Sequence, residues 1–243
     1  MPRPKSLTKA RIIVLVMAVA LLLFVVQQAV ETLKILTAVE RERDGWQRPQ
    51  EILQQLDLHP GNVVVDLGSG AGYFTLKLAP IVGPDGRVLA VDLRRESLAF
   101  LWIRARLRSW WNVRIIHGEV DDPRLPSGEV DAALIANTYH ELAQPEPILR
   151  ALHASMRPGA RIVVVDRAPV DSGQSREEAA GHHEIPASAA ASDIKRQGFE
   201  EVSREERFLD GSPDGEAWWL VVFRKPTSST DAPNQAPDSV PAR

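Results

Sequence analysis

Asn62-Val63-Val64-Val65-Asp66-Leu67-Gly68-Ser69-Gly70-Ala71-Gly72-Tyr73 decides the fold. An apolar run ends in an acid, turns on three alternating glycines and enters a helical stretch from Tyr73 to Val82. A buried strand feeding a glycine turn and a helix holds a nucleotide-like ligand. Glycine lets the backbone approach the ligand, and the turn aims helix N-terminal N–H groups into the crevice. That crevice lies beyond the carboxyl ends of the strands, at a topological switch point. Gly86-Arg87-Val88-Leu89-Ala90-Val91-Asp92 reads as the next strand, and it also ends in an acid. Asp92 follows Gly72 by about 20 residues, the spacing at which a carboxylate accepts both ribose hydroxyls.

Outward from this unit, short apolar strands alternate with helical stretches from Trp46 to Pro226, the pattern of a parallel α/β sheet. Strands are expected at 113–117, 130–136 and 161–166, and a closing antiparallel pair at 201–208 and 218–224. Helices are expected at 50–58, 96–110, 147–156 and 188–197. The fold class is therefore α/β: a mostly parallel, Rossmann-like, seven-stranded sheet with helices on both faces, preceded by an N-terminal hydrophobic helix.

Two cofactor classes use this turn. The dinucleotide fingerprint needs glycine at position 73, where Tyr73 stands, and a pyrophosphate would be repelled by Asp66. A cofactor carrying an ammonium group and a sulfonium centre tolerates that acid.

The stretch Val64 to Thr75 resembles the first motif of the class I S-adenosylmethionine (SAM)-dependent methyltransferases, and Val88 to Asp92 their second. Gly118-Glu119-Val120-Asp121-Asp122 is similar to their segment after the third strand. Asp131 to Asn137 resembles their fourth strand, and Met156 to Arg161 the turn before the fifth, with Ala160 in place of its second glycine. Arg43 to Pro49 and Asn137 to Glu141 look like an uncharacterised branch of predicted bacterial methyltransferases. The resemblance covers residues 46 to 224. It implies SAM as cofactor, bound by Asp66, Gly68, Ser69, Gly70, Gly72, Tyr73, Asp92, Leu93, Glu119, Val120 and Asn137. Glu119 would meet the adenine amino group with the Val120 amide on the ring, and Asp121 is the alternative acid.

The methyl acceptor of this fold sits above strands four and five, opposite Asn137 to Glu141. His140 and Glu141 are the catalytic candidates, because histidine titrates near neutrality and a base serves acceptors that carry a proton. The alternative is that Tyr139 and His140 only shape the pocket. Gly181-His182-His183-Glu184, with His140 and Glu141, supplies enough imidazole and carboxylate for a metal. No metal ligand is assigned, because spacing supplies no geometry and adjacent histidines point apart. Trp110-Trp111 and Trp218-Trp219 are read as core or edge packing, and Arg104, Arg106 and Arg108 as a solvated helix surface.

The chain has 243 residues, 44% hydrophobic and 25% charged, with no cysteine and a formal net charge of −3. Thiolate chemistry and disulfides are excluded, and no nucleic-acid partner is expected. The Asn-Pro-Pro-Tyr type of motif that serves base amino-methylation is absent, which argues further against a DNA target. Residues 1–30 form a basic N-terminus followed by an apolar run, Ile12 to Val26. Counted from Ala10 to Val30 the segment reaches the roughly 30 Å of a bilayer. It is read as a single-pass anchor of a bacterial inner membrane, since Gln27-Gln28-Ala29 is a poor cleavage site for a signal peptide. Basic residues flank both sides, so the side of the membrane that holds the domain stays open. The slight preference for a cytoplasmic N-terminus would take the domain away from cytoplasmic SAM. Residues 31–45 are expected to be a helical stalk, 46–225 the methyltransferase domain, and 226–243 a disordered tail. The expected enzyme methylates a small-molecule or lipid-like acceptor. The rival functions are an inactive SAM-binding module of the same fold and a dinucleotide-dependent oxidoreductase.

Overall fold

Val63–Leu67 is buried along its whole length, as a strand covered on both faces must be. In the computed structural model it is the central strand β1. The structure describes residues 9–169, 178, 181–209, 212–213 and 215–227. Strands β2 (Arg87–Asp92), β3 (Val113–His117), β4 (Val130–Ala136), β5 (Met156–Arg167), β6 (Glu200–Leu209) and β7 (Trp218–Arg224) complete a seven-stranded sheet of order β3-β2-β1-β4-β5-β7-β6. The first five strands are parallel, while β7 runs antiparallel to both β5 and β6. The chain reverses direction across the sheet between β1 and β4, which is the switch point.

Strand alternation divides the core. Val63, Val65, Leu67, Leu89, Val91, Ala133, Ile135, Ile162 and Val164 join one cluster. Helices α5 (Pro145–Ser155) and α6 (Ala187–Arg196) close it. Helix α6 contributes Ala187, Ala190, Ala191 and Ile194, the i, i+3, i+4, i+7 stripe of an amphipathic helix. The other face carries α2 (Pro49–Gln55), α3 (Thr75–Val82) and α4 (Arg95–Leu107), with contacts α2 to β5, α3 to β1 and β2, and α4 to β2 and β3.

Several expectations shift. Helix α3 starts at Thr75 rather than Tyr73, because the third glycine turn occupies the intervening residues. Strand β5 is longer than expected, since its pairing begins at Met156, breaks, and resumes at Arg161. The break is the glycine turn, where Gly159 has φ 84 and donates its N–H to Lys225 O at 2.8 Å. Arg104 is not on a solvated surface. It is 2% exposed, and its guanidinium donates to Ala71 O beneath the glycine turn. A helix wheel places Arg104 opposite Arg106, and only the packing of α4 shows that its side is the inner one. Trp218 and Trp219 are buried as expected, whereas Trp111 is 74% exposed, with the Arg106 guanidinium 4.4 Å from its ring centroid.

One ion cluster ties α6 to the edge strand β6. Glu201 accepts from Arg204 at 2.9 and 2.8 Å and pairs with Lys195 at 2.5 Å. The Arg204 hydrogen bonds push its carboxyl down to about 2, against some opposition from burial, and Lys195 adds to the effect. A depressed carboxyl contributes stability above its unfolded value of 4.5, and that contribution disappears as pH falls through about 2. Glu201→Gln is therefore expected to cost about 1–2 kcal/mol at pH 7, the shift being discounted for a partly solvated cluster. The gap between the two melting temperatures should close between pH 4.5 and 2. Equal melting temperatures at pH 7 would contradict this.

Among the described residues the chain divides after Gln47. The first unit is one helix, α1 (Lys9–Trp46), continuous through the segment expected as a stalk. From Arg11 onward α1 is long and apolar enough to cross a membrane. At a rise of about 1.5 Å per residue, the stretch from Ala10 to Val30 accounts for about 30 Å of it. Most of the expected tail, 228–243, and the first basic residues lie outside the described residues.

Candidate cofactor and acceptor site

Parallel register brings the ends of four strands together. Leu67 lies beside Val91 on one side and Ile135 on the other, and Asp92 lies beside His117. The glycine turn after β1 therefore meets the acid ending β2 and the residues following β4. Backbone bonds close the turn, with Gly68 and Ser69 N–H both donating to Val91 O, at 2.9 and 3.0 Å. Gly70 N–H donates to Asp92 Oδ2 at 2.7 Å, and Arg94 N–H to Asp92 Oδ1 at 2.8 Å. Asp92 is thus pinned with its two oxygens pulled toward backbone amides, and each oxygen keeps further lone pairs for a ligand.

The glycines differ in their reasons. A Cβ on Gly68 would stand 2.1 Å from Thr138 Oγ1, and one on Gly72 would stand 2.3 Å from a Leu101 methyl of α4. Those two positions admit close packing of the turn against the segment that follows β4 and against α4. Around Gly70 no heavy atom lies within 4 Å of the added carbon, so the turn faces open space there. Asp66 is 2% exposed and accepts a hydrogen bond from Thr75 Oγ1, so it ties the strand end to the start of α3. Tyr73 is 8% exposed, edge-on to Phe74, with Lys77 Nζ 4.6 Å from its ring centroid.

Two buried polar atoms at this place have no hydrogen-bond partner, Ser69 Oγ and Asn137 Oδ1. Buried polar groups are almost always satisfied, and an orphan costs about 1–3 kcal/mol. Asn137 is also held at φ 54, in the left-handed region that costs a non-glycine residue. A ligand with hydroxyl and amino groups answers both orphans, so the residues present fit an aminoacyl-nucleoside cofactor. Leu93 and Val120 are exposed apolar side chains, at 52 and 63%, as faces for a purine would be without one. Glu119 is paired with Arg124, and its N–H donates to Asp122 O at 2.7 Å. An adenine amino group would compete with that arginine.

Beyond Asn137 the chain makes a 3-10 turn, Tyr139–Glu141. Tyr139 is fully buried and its hydroxyl donates to Asp193 Oδ2 of α6 at 3.2 Å. His140 N–H donates to Asp166 Oδ2 at 3.1 Å, and His140 Nδ1 meets Asp166 Oδ1 at 2.8 Å. Asp166, at the end of β5, is completely buried. A carboxylate only accepts, so Nδ1 carries the proton, and in a neutral ring Nε2 would hold the lone pair. Asp166 is not among the residues expected at the site, although it stands near the end of β5 as Asp66 and Asp92 do in β1 and β2. Glu141 Oε1 is 3.9 Å from His140 Nε2. The segment 181–186 folds back to the same place through Ile185 N–H to Arg167 O at 3.0 Å and Trp219 Nε1–H to Ile185 O at 2.7 Å. It brings the His183 ring centroid to 5.4 Å from that of His140. The adjacent histidines do diverge: His183 joins the cluster with His140 and Glu141, and His182 does not.

Residues 64–160 match the protein family described as a methyltransferase domain. Over 112 residues the chain is 30% identical to a ubiquinone/menaquinone biosynthesis C-methyltransferase of Ectopseudomonas mendocina, covering 45% of this chain and 43% of that protein. Over 141 residues it is 30% identical to a protein-L-isoaspartate O-methyltransferase of Methanothermobacter thermautotrophicus, covering 51% of this chain and 61% of the other. The chain thus spans about half the length of these curated relatives. Among solved structures it is similar to a SAM-dependent methyltransferase from Aquifex aeolicus, with TM-score 0.61, 24% identity, and coverage of 73% of this chain and 89% of that one. Residues 64–160 thus carry the match to the methyltransferase-domain family, and the seven-stranded fold around them is that of solved SAM-dependent methyltransferases.

Proposed function

We propose that the protein is an active methyltransferase, using SAM to methylate a small or lipid-like acceptor seated over the ends of β4 and β5. One observation carries the reading. A cofactor turn with orphaned Ser69 and Asn137 atoms adjoins an imidazole oriented by a fully buried carboxylate. When bound, SAM supplies a methyl group on a positively charged sulfur. The chain's own work is then alignment and proton removal. Asp92 accepts the ribose hydroxyls, the glycine turn offers backbone N–H groups, and Leu93 and Val120 enclose the adenine, with Glu119 released from Arg124 to accept from its amino group. Ser69 and Asn137 hold the polar end, and Asp66, Gly68, Gly70, Gly72 and Tyr73 shape the turn. His140, held by Asp166, takes the acceptor's proton at Nε2, and Glu141 lies at the mouth.

Helix α1 is read as an inner-membrane anchor, which favours a membrane-soluble acceptor. The name of the Ectopseudomonas relative, a quinone-pathway enzyme, agrees with that acceptor class. Nucleic acid is not an expected partner. A reporter fused after Arg243 tests on which side of the membrane the domain works.

The activity test is transfer of label from SAM to a membrane lipid extract by the full chain in detergent. His140→Ala is expected to lower kcat about 100-fold or more, the usual share of general base catalysis. Asp166→Asn, acting through His140, should lower kcat while the affinity for S-adenosylhomocysteine stays unchanged. Cofactor binding without any transfer would leave a binding module and overturn the proposal.

A further inference from the structure

We infer that His140, Glu141 and His183 form a binding site for one divalent transition cation of the zinc type, in the acceptor pocket. Their ligand atoms all lie within 4.8 Å of one another. The set is two imidazoles and one carboxylate, the composition of open three-ligand zinc sites.

The surroundings give the cluster direction. His140 is anchored: its ring is 3% exposed and its Nδ1–H is spent on Asp166, which is itself completely buried. That leaves Nε2 as the available lone pair. A carboxylate behind the non-ligating ring nitrogen is the usual outer-shell arrangement of a metal-binding histidine. Asp166 Oδ1 also accepts Arg167 N–H at 2.8 Å, and Oδ2 accepts His140 N–H at 3.1 Å, so backbone donors hold the carboxylate in place. The other two ligands are exposed and can adjust. On a tetrahedral ion with bonds of about 2.0–2.1 Å, neighbouring ligand atoms stand about 3.3 Å apart. Closing from 3.9 Å between His140 Nε2 and Glu141 Oε1 takes only a small side-chain rotation. His183 is held at φ 58, and the segment bearing it is fastened to β5 and β7 by the Ile185 and Trp219 bonds. Its position is therefore set by tertiary structure rather than by loop preference.

The site deepens the proposed function by naming an acceptor class. With three protein ligands, a cation here would keep room for a further ligand and would suit a hydroxyl or thiol acceptor. The acceptor's O–H or S–H would lose its proton to water under the cation's charge. Its oxygen or sulfur would form the new bond to the methyl carbon. The carbon–sulfonium bond would break, with its electron pair staying on the cofactor's sulfur. With the cation bound, His140 serves as ligand and no longer as base.

The placement of the acceptor rests on the methyltransferase reading, but the binding of the ion does not. The test is cobalt(II) titration of the full chain in detergent, purified without a histidine tag and stripped with a chelator. Expected are visible tetrahedral cobalt bands that saturate at one ion per chain and are displaced by zinc. His183→Ala and Glu141→Gln should weaken uptake about 100-fold and about 10-fold. Asp166→Asn should weaken it about 10–100-fold, the range for outer-shell partners. His182→Ala is the control and should bind like the unaltered chain. Calorimetry with S-adenosylhomocysteine on the same samples shows whether the fold and cofactor site are intact. A chain that binds the nucleoside but gives no one-to-one cobalt signal, or keeps it in His183→Ala, overturns the inference. A chain that binds cobalt but no nucleoside overturns the proposed function instead.

Discussion

Asp92→Ala is expected to weaken SAM and S-adenosylhomocysteine binding by about 100- to 10,000-fold in calorimetry on the full chain in detergent. Asp92 is the buried acid at the end of β2, 6% exposed, and its carboxylate takes N–H bonds from Gly70 and Arg94. Two ribose hydroxyls donating to it would be charge-assisted bonds of about 1.5–3 kcal/mol each, which gives that range. The alanine also releases Gly70 N–H from its partner, so the turn loses an anchor together with the ligand contact. Asp92→Asn separates these effects. It keeps one acceptor oxygen and the side-chain shape, and a loss of about 10- to 100-fold is expected. Affinity within threefold of the unaltered chain for Asp92→Ala would remove the ribose assignment and with it the main support for the cofactor pose.

Gly68→Ala has the largest expected effect on stability, about 3–5 kcal/mol, from overpacking together with a strained backbone. The new methyl would lie 2.1 Å from Thr138 Oγ1, 2.4 Å from its Cγ2 and 2.7 Å from its Cβ, at a backbone φ of +77. Neither strand can yield easily, because β1 and β4 are paired from Val64 to Leu67 directly behind the contact. Thermal unfolding should fall by about 2–4 °C per kcal/mol for a domain of this size. Thr138→Ala added to Gly68→Ala removes the two closest contacts but not the Cβ contact or the positive φ. About half of the loss is expected to return. A melting temperature for Gly68→Ala within 2 °C of the unaltered chain, on the roughly 2–4 °C per kcal/mol scale, would mean that the turn and the segment that follows β4 do not meet so closely.

The two halves of the site were not equally legible. Strand, glycine turn and helix are local features, written in the period of apolar residues and in glycine's freedom at positive φ, so residues 62–92 read correctly as strand, glycine turn, helix and strand. The same holds for Val113–His117, Val130–Ala136 and Trp218–Arg224, whose boundaries coincide with expectation. Side-chain destinations did not follow in the same way. Arg104 was placed in solvent because charge on a helix usually faces water. It is buried because the Ala71 carbonyl needs a donor beneath the turn.

What the sequence by itself determined is the order of the strands' chemistry: which strands end in acids, where the glycines allow close approach, and that a sulfonium cofactor suits Asp66 and Tyr73 better than a dinucleotide. It also determined that a long apolar helix precedes the domain, because length and composition suffice for that. Only the tertiary structure decided which distant groups meet. Asp166 reaches His140 because β4 and β5 are parallel neighbours whose carboxyl ends lie side by side. His183 returns to them because Ile185 is bonded to Arg167 and Trp219. Sequence periodicity reports on neighbours three or four residues apart. Contacts across 26 and more residues are set by strand register and by the closing of the core, which no local pattern encodes.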